Sequence, residues 1–395
     1  MSTPRASFAF WFTALLVGAM VMRGPVTCVG PLADAVVRDY AVSWEAYGSL
    51  SALVVAAFGV FSFAAFAVTR RLGLTGAVLA SLAVLLAGAL LRLLPSWRGL
   101  LAGSVGVGAG IALLNVLMPV IAKERFGLKT PAVMGVYTGV IGLSGAVGGL
   151  TSVPLYEALG SASGPFGLWA AAAAATALVW CAALARKDPA ALTSSQSAPS
   201  MKTMAGLLRS PTAAALVFVM GLQSLLIYTV VAWLPPFLVD QGIDAAQTGV
   251  WVFVYLVSGL PASAATPALM RLLGKETRTE WLLVVLYVLG LAGWHMHDTW
   301  ALLTGSILAG AAQGSMLSVA FLLMAAKSRD FSQMLSMSAL AQGSGYLVAG
   351  FGPVVFGLLH ADFGWLVPWL AVGAVILAWG AAGSAAARSS KLLDA

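Results

Sequence analysis

Arg23 stands in the run MVMRGPVTCVGPL (residues 20–32), and everything before it from Phe8 onward is apolar or small. A guanidinium is always charged and presents a planar fork of donors, suited to a compact anion or a nitro group. Putting it inside an apolar helix costs at least about 2.5–3.5 kcal/mol, so such a charge is a functional hypothesis by default. Gly24 and Pro25 follow at once, and Pro31 lies further on. Pro25 cannot donate to the carbonyl of Val21, nor Pro31 to that of Thr27. Two roles for Arg23 therefore stand open. It can meet a solute, or it can cap freed carbonyls or snorkel outward.

Other polar residues sit alone in apolar runs: Asn115 in ALLNVLMP, Tyr137 in GVYTG, Gln223 and Tyr228 in LQSLLIYTV, Gln313 in AAQGSML, and Gln342 and Tyr346 in AQGSGY. Each wants a hydrogen-bond partner where water is absent. For each, solute contact stands beside interhelical glue worth about 0.6 kcal/mol. Trp233 can wall the same site or belong to an interfacial belt. Asp and Glu are missing from the interior of every apolar run, with Asp34 and Glu45 at outer ends. Arg23 then lacks a carboxylate partner, and a small anionic solute fits it.

The elements that must position these residues are membrane spans. The chain has 395 residues, 60% hydrophobic and 9% charged, with mean hydropathy +0.95. A water-soluble chain carries about 25% charged residues, so the bilayer is the solvent here. The expectation is an all-α membrane protein with twelve spans, near 8–37, 45–68, 74–94, 99–122, 131–155, 165–185, 211–237, 246–270, 281–296, 300–325, 332–358 and 364–386. With the N-terminus inside, 17 of the 21 Lys and Arg fall on the inner side, so both termini are read as cytoplasmic. The stretch 186–210 is polar and rich in Ser, Ala and Pro, and reads as a linker between six-helix halves at 1–185 and 211–395. The halves echo each other. Aligning Pro31 with Pro236 sets Arg23 opposite Tyr228. Paired six-helix halves around a midplane site are a transporter design.

Other classes are disfavoured. The net charge of +7 lies in short loops between spans, which argues topology rather than nucleic acid. Cys28 and Cys181 lie in spans without metal-ligand spacing and read as small buried residues. The N-terminal run reads as an uncleaved first span. GVGAG follows no strand, so nucleotide binding and ATP-driven pumping are set aside. The pair His295 and His297 lies at an outer end, where solvation outweighs metal binding. No nucleophile–base set falls on facing segments, so an enzyme is not expected. Neither tail is long enough for a signalling domain. Gly135, Gly139, Gly142, Gly145 and Gly149, and Gly103, Gly106 and Gly110, form small-residue stripes for close helix packing.

Gly221–Ile243, Ala339–Gly364, Gly110–Gly139 and the opening MRGPVTCVGPL resemble the cyanate and 2-nitroimidazole transporter family of the major facilitator superfamily, over nearly the whole chain. The resemblance implies that superfamily's fold and alternating access for small polar or anionic solutes. It implies a pathway lined by spans 4, 5, 7, 10 and 11, where the polar residues fall. Two departures stand out. The family usually has Arg-Pro where this chain has Arg23-Gly24-Pro25, and the loop AVTRRLGL lacks the acid usual between spans 2 and 3. The expected function is a secondary active or facilitative transporter of the bacterial inner membrane, probing a solute with Arg23, Asn115, Tyr137, Gln223, Tyr228, Trp233, Gln313, Gln342 and Tyr346. No cofactor is expected, a coupling proton or exchanged anion is the open partner, and a monomer is expected. A multidrug or metabolite exporter is the alternative, although it calls for an intramembrane acid.

Overall fold

The computed structural model describes residues 4–185, 206–207, 209–274, 276–296 and 298–389. The described residues form helices α1 (Pro4–Met20), α2 (Gly24–Thr27), α3 (Ala33–Asp39), α4 (Trp44–Ser62), α5 (Ala64–Leu91), α6 (Trp97–Phe126), α7 (Thr130–Leu159) and α8 (Ser163–Ala185). After the linker stretch come α9 (Pro211–Asp240), α10 (Ala245–Leu273), α11 (Glu276–Trp294), α12 (Thr299–Lys327), α13 (Phe331–Ala349), α14 (Phe351–Phe363) and α15 (Leu366–Arg388). Most of the stretch 186–210 read as the linker lies outside the described residues, as do Arg5's side chain and His297.

These helices make twelve traverses. Nine stretches are long and apolar enough to cross a membrane, and one of them, Trp97–Leu159, holds both α6 and α7. Span 2 begins in α4 and ends in the first turns of α5, where Gly73 (φ 69°) breaks the helix and lets the chain reverse into span 3. That conformation is open to glycine and costly for other residues. Span 9 is α11, short and opened by charged residues. Several helices start on side chains that cap orphan amides. Ser43, Ser96, Ser210, Asp298 and Asp330 accept from Ala46, Gly99, Ala213, Ala301 and Gln333.

The two halves repeat one packing scheme. In the first, α5 packs on α6 and α8, and α4 on α6. In the second, α11 packs on α12 and α15, and α10 on α12. Span 1 lies on span 5 as span 7 lies on span 11. The halves meet where α7 crosses α10 and α4 crosses α13, a symmetric pair of seams. Glycine makes both seams close. A Cβ on Gly135 would lie 2.7 Å from the Ser263 carbonyl, and one on Gly59 2.4 Å from Leu347. Within the first half, Gly88, Gly103 and Gly106 bring α5 and α6 together, with a Cβ on Gly88 only 2.4 Å from the Val107 amide. The expected stripe on α7 divides between partners, since Gly135, Gly139 and Gly142 face α10, Gly145 and Gly148 face span 1, and Gly149 faces nothing within 4 Å.

Two expectations need correction. Cys28 is buried, but Cys181 is exposed on the flank of α8, a face a membrane protein turns to lipid. Acids are not all outside the spans either. α11 starts a turn before the expected boundary, and Glu280 within it is fully buried. Its Oε2 accepts from the Ser384 hydroxyl at 3.2 Å while Oε1 has no partner. Gly383 leaves room for it, since a Cβ there would lie 2.9 Å from the Glu280 carboxyl carbon.

Candidate functional site

The first span is broken rather than loosened. α1 stops at Met20, α2 starts at Gly24, and Arg23 between them takes φ −125° and ψ −38°. Pro25 falls in the first turn of the new helix, where its missing amide costs nothing. Ser144 of α7 bridges the break. Its Oγ accepts from the Gly24 amide at 2.9 Å and donates to the Met20 carbonyl at 2.5 Å. Thr27 donates to the Gly145 carbonyl at 2.8 Å. Gly148 permits this approach, because a Cβ there would lie 2.4 Å from Thr27 Oγ1.

The break swings Arg23 toward the other half. Its guanidinium donates to the Tyr228 hydroxyl of α9. It also lies over the Tyr228 ring at 5.3 Å and the Phe58 ring at 6.0 Å. Tyr346 of α13 faces the same guanidinium, tilted against Phe58 at 5.2 Å and edge-on to Tyr228 at 6.4 Å between centroids. Among the described residues no carboxylate pairs with Arg23. Met22, Gly24, Tyr137 and Tyr346 around it are buried, whereas Arg23 and Tyr228 keep partial exposure. A cation ringed by aromatic faces and one hydroxyl can hold an anion or a nitro group by charge and donor geometry.

The remaining polar residues form separate groups. Gln342 Nε2 donates to the Asn115 carbonyl at 2.5 Å and to Ser338 Oγ at 3.0 Å, and Ser338 Oγ donates to the Val116 carbonyl at 3.0 Å. The Asn115 carbonyl is free because Pro119 has no amide to offer it. The side-chain Nδ2 of Asn115 is buried without a partner. A second network lies within the second half. Gln313 Nε2 donates to the Gln223 carbonyl at 3.0 Å and to its Oε1 at 3.2 Å. Tyr287 donates to Gln313 Oε1 at 3.0 Å and shares a hydroxyl contact with Tyr255 at 2.8 Å. Gln223 and Gln313 are thus engaged with protein, and the glue reading describes their geometry. The Tyr137 hydroxyl donates to Met22 Sδ at 3.4 Å. Trp233 stands apart from Arg23. Its Nε1 donates to the Pro353 carbonyl at 2.9 Å, and its ring joins Phe356, His360 and Trp365. His295 lies in the neighbouring cluster of Phe237 and Trp369, with Nδ1 2.9 Å from the Leu291 carbonyl.

Sequence reasoning missed Phe58, Ser144, Tyr255, Tyr287 and Arg92. Arg92 follows α5 at the outer end of span 3, where it is only 2% exposed and donates to the Pro25 carbonyl at 2.5 Å. Arg92 thus caps a carbonyl in the broken span, that of Pro25 rather than those of Val21 or Thr27. Spacing carries no signal for this, because Arg92 and Pro25 are far apart in the chain. The stripe on α7 does contain a signal for Ser144, a lone hydroxyl among glycines.

Beyond the Arg23–Tyr228 contact, the polar links between halves lie toward one end. Besides Gln342 and Ser338, Lys123 Nζ at the end of α6 donates to the Ala325 carbonyl at 2.8 Å and to that of Ser328. The antiparallel topology brings Arg125, Lys129, Arg271, Lys327 and Arg329 to this same end. The latch does not use the loop between spans 2 and 3, where the expected acid is missing. Polar links between the halves thus reach the basic end.

A twelve-span bundle of two matching halves, with a cation at their meeting point that no carboxylate pairs among the described residues, is the architecture of a multi-pass membrane transporter. The chain belongs to the Major Facilitator Superfamily, whose profile matches residues 15–292. It is 31% identical over 384 residues to the uncharacterized transporter YycB of Bacillus subtilis, spanning 96% of this chain and 94% of that one. It is 26% identical to the 2-nitroimidazole transporter of Escherichia coli over 96% of this chain and 95% of that one. It is also 26% identical to the cyanate transport protein CynX of Escherichia coli, over 88% and 89%. The fold resembles that of the proton:xylose symporter XylE, with TM-score 0.72, 12% identity, and 98% and 95% of the two chains covered.

Proposed function

We propose that this protein carries a small anionic or strongly dipolar solute across the bacterial inner membrane, with Arg23 as the anchor. One observation carries the reading: a part-exposed guanidinium between the halves has a neutral tyrosine as its partner and no carboxylate among the described residues. A compact anion supplies the missing charge. The relatives named for cyanate and 2-nitroimidazole support it, since one solute is an anion and the other bears a dipolar nitro group. Tyr228, Tyr346 and Phe58 wall the anchor, and the open Nδ2 of Asn115 is a second donor for the solute. Tyr137 shapes the floor. Gln223 and Gln313 hold spans 7 and 10 in place, Gln342 ties the halves together, and Trp233 braces the far end of span 7. Rocking of the halves about the two glycine seams opens the basic end after the solute seats. With no carboxylate pairing Arg23 among the described residues, coupling by anion exchange, or by a proton arriving with the solute, fits better than a fixed carboxylate relay. A monomer holds the whole site.

The test is flux into liposomes containing the purified protein, with cyanate and 2-nitroimidazole as probes. Arg23→Ala is expected to abolish transport, and Arg23→Lys to cut apparent affinity about tenfold or more, because an ammonium cannot reproduce the fork. Wild-type flux in both variants sinks the anchor assignment.

A further inference from the structure

Arg92 ends α5 and turns its side chain inward. Nε donates to Ser104 Oγ of α6 at 3.0 Å, and Ser104 in turn donates to the Leu100 carbonyl at 2.7 Å. One terminal nitrogen donates to the Pro25 carbonyl at 2.5 Å, and the other is buried without a partner. The guanidinium lies 5.7 Å over the Phe166 ring. The space for it is built in, since a Cβ on Gly103 would lie 2.8 Å from Arg92 Cγ.

The Pro25 carbonyl needs this partner. In a continuing helix it would accept from the Val29 amide, but that amide turns to Val26 at 3.4 Å. Among the described residues the Cys28 thiol also approaches it, at 3.4 Å. α2 is four residues long, and the backbone ladder from α1 does not reach across Arg23. Ser144 holds the near side of the break and Arg92 the far side. A buried cation with only neutral partners is costly, so a hydroxyl or amide would serve at lower cost if capping one carbonyl were the whole requirement.

We propose that Arg92 is a positioning residue: by clamping the Pro25 carbonyl it fixes the start of α2 and thereby aims the Arg23 guanidinium at the solute. This rests on Arg23 being the anchor, but one arm of the test does not. In a Cys181→Ser background, Cys28 is the single thiol and is buried beside the clamp. Arg92→Gln is expected to raise Cys28 alkylation by N-ethylmaleimide about tenfold, from loss of a charged hydrogen bond. The second arm is a double-mutant cycle read as cyanate affinity. Arg92→Gln is expected to weaken cyanate binding about tenfold in wild type, and less than about twofold in the Arg23→Lys background, where the aimed fork is already gone. Unchanged Cys28 reactivity, or losses that multiply across the cycle, overturns the inference. If Arg23→Lys alone leaves binding intact, the anchor reading fails while the alkylation arm still judges the clamp. Should Arg92→Gln not fold, Arg92→Lys keeps the charge, and a smaller rise in alkylation, about threefold, is expected; no rise overturns the clamp.

Discussion

Gln342 of α13 donates its amide to the main-chain carbonyl of Asn115 in α6, a carbonyl that Pro119 leaves without its helical partner. A proline in one half thus prepares the acceptor that the other half closes upon. The same device recurs within the second half, where Pro267 frees the Ser263 carbonyl and Ser318 donates to it at 3.3 Å. Gln342 also reaches Tyr346, with its Oε1 3.5 Å from that hydroxyl, so the closure lies one residue away from the arginine site.

The Gln342 contact should bias the equilibrium between closed and open basic ends. Pro119→Ala returns an amide to the helix, which then competes for the Asn115 carbonyl. Loss of one such hydrogen bond is worth about 1 kcal/mol, or roughly fivefold in the populations. Spin labels placed on the basic ends of α6 and α13 are expected to show a larger share of long distances in Pro119→Ala and Gln342→Leu. Distance distributions identical to wild type would remove the latch from the account.

Tyr228 should act through its hydroxyl. Tyr228→Phe keeps the ring face under Arg23 and removes the acceptor. The apparent KM for the transported probe is expected to change by about three- to tenfold, while folding is unaffected. Equal kinetics for Tyr228→Phe and wild type would show that the guanidinium is placed by something else.

Gln313 should matter to stability and not to the solute. Gln313→Leu leaves the Tyr287 hydroxyl and the Gln223 carbonyl with fewer partners in a buried network. A loss of about 1–3 kcal/mol is expected, seen as a lower melting temperature in detergent. Transport by the surviving folded fraction should match wild type in KM. A changed KM with unchanged melting would return Gln313 to the solute's contacts.

Glycine contacts predict opposite outcomes for one kind of substitution. A Cβ on Gly310 would fall 1.9 Å from the Tyr255 carbonyl, so Gly310→Ala must push α12 from α10. Overpacking of this kind costs about 1–3 kcal/mol. Gly373 in α15 has nothing within 4 Å, and Gly373→Ala is expected to leave melting unchanged or slightly raised, as alanine favours helix. Similar melting for both variants would contradict the packing described between spans 8 and 10.

Composition and charge determined much of this protein without a structure. Continuous apolar runs admit only helices in lipid, because each backbone amide must be satisfied within its own segment. The bias of Lys and Arg marked one end, and the match of Pro31 with Pro236 set Arg23 against Tyr228, two residues whose contact spans 205 positions. The cost of an intramembrane guanidinium drew attention to Arg23 on type alone.

Tertiary structure decided what periodicity cannot encode. Gln313 and Gln342 are the same residue type in similar apolar runs, yet one knits a single half together and the other crosses between halves. Arg92 finds its partner only because α5 and α6 close over it and the break in span 1 supplies the Pro25 carbonyl. Glu280, just outside the apolar run that begins at 281, is covered by Gly383 and Ser384. The reason is common to all three. A side chain's propensity and depth follow from its own segment, whereas its partner is set by which helix packs against it, and in a bundle of twelve that neighbour is chosen by the whole fold.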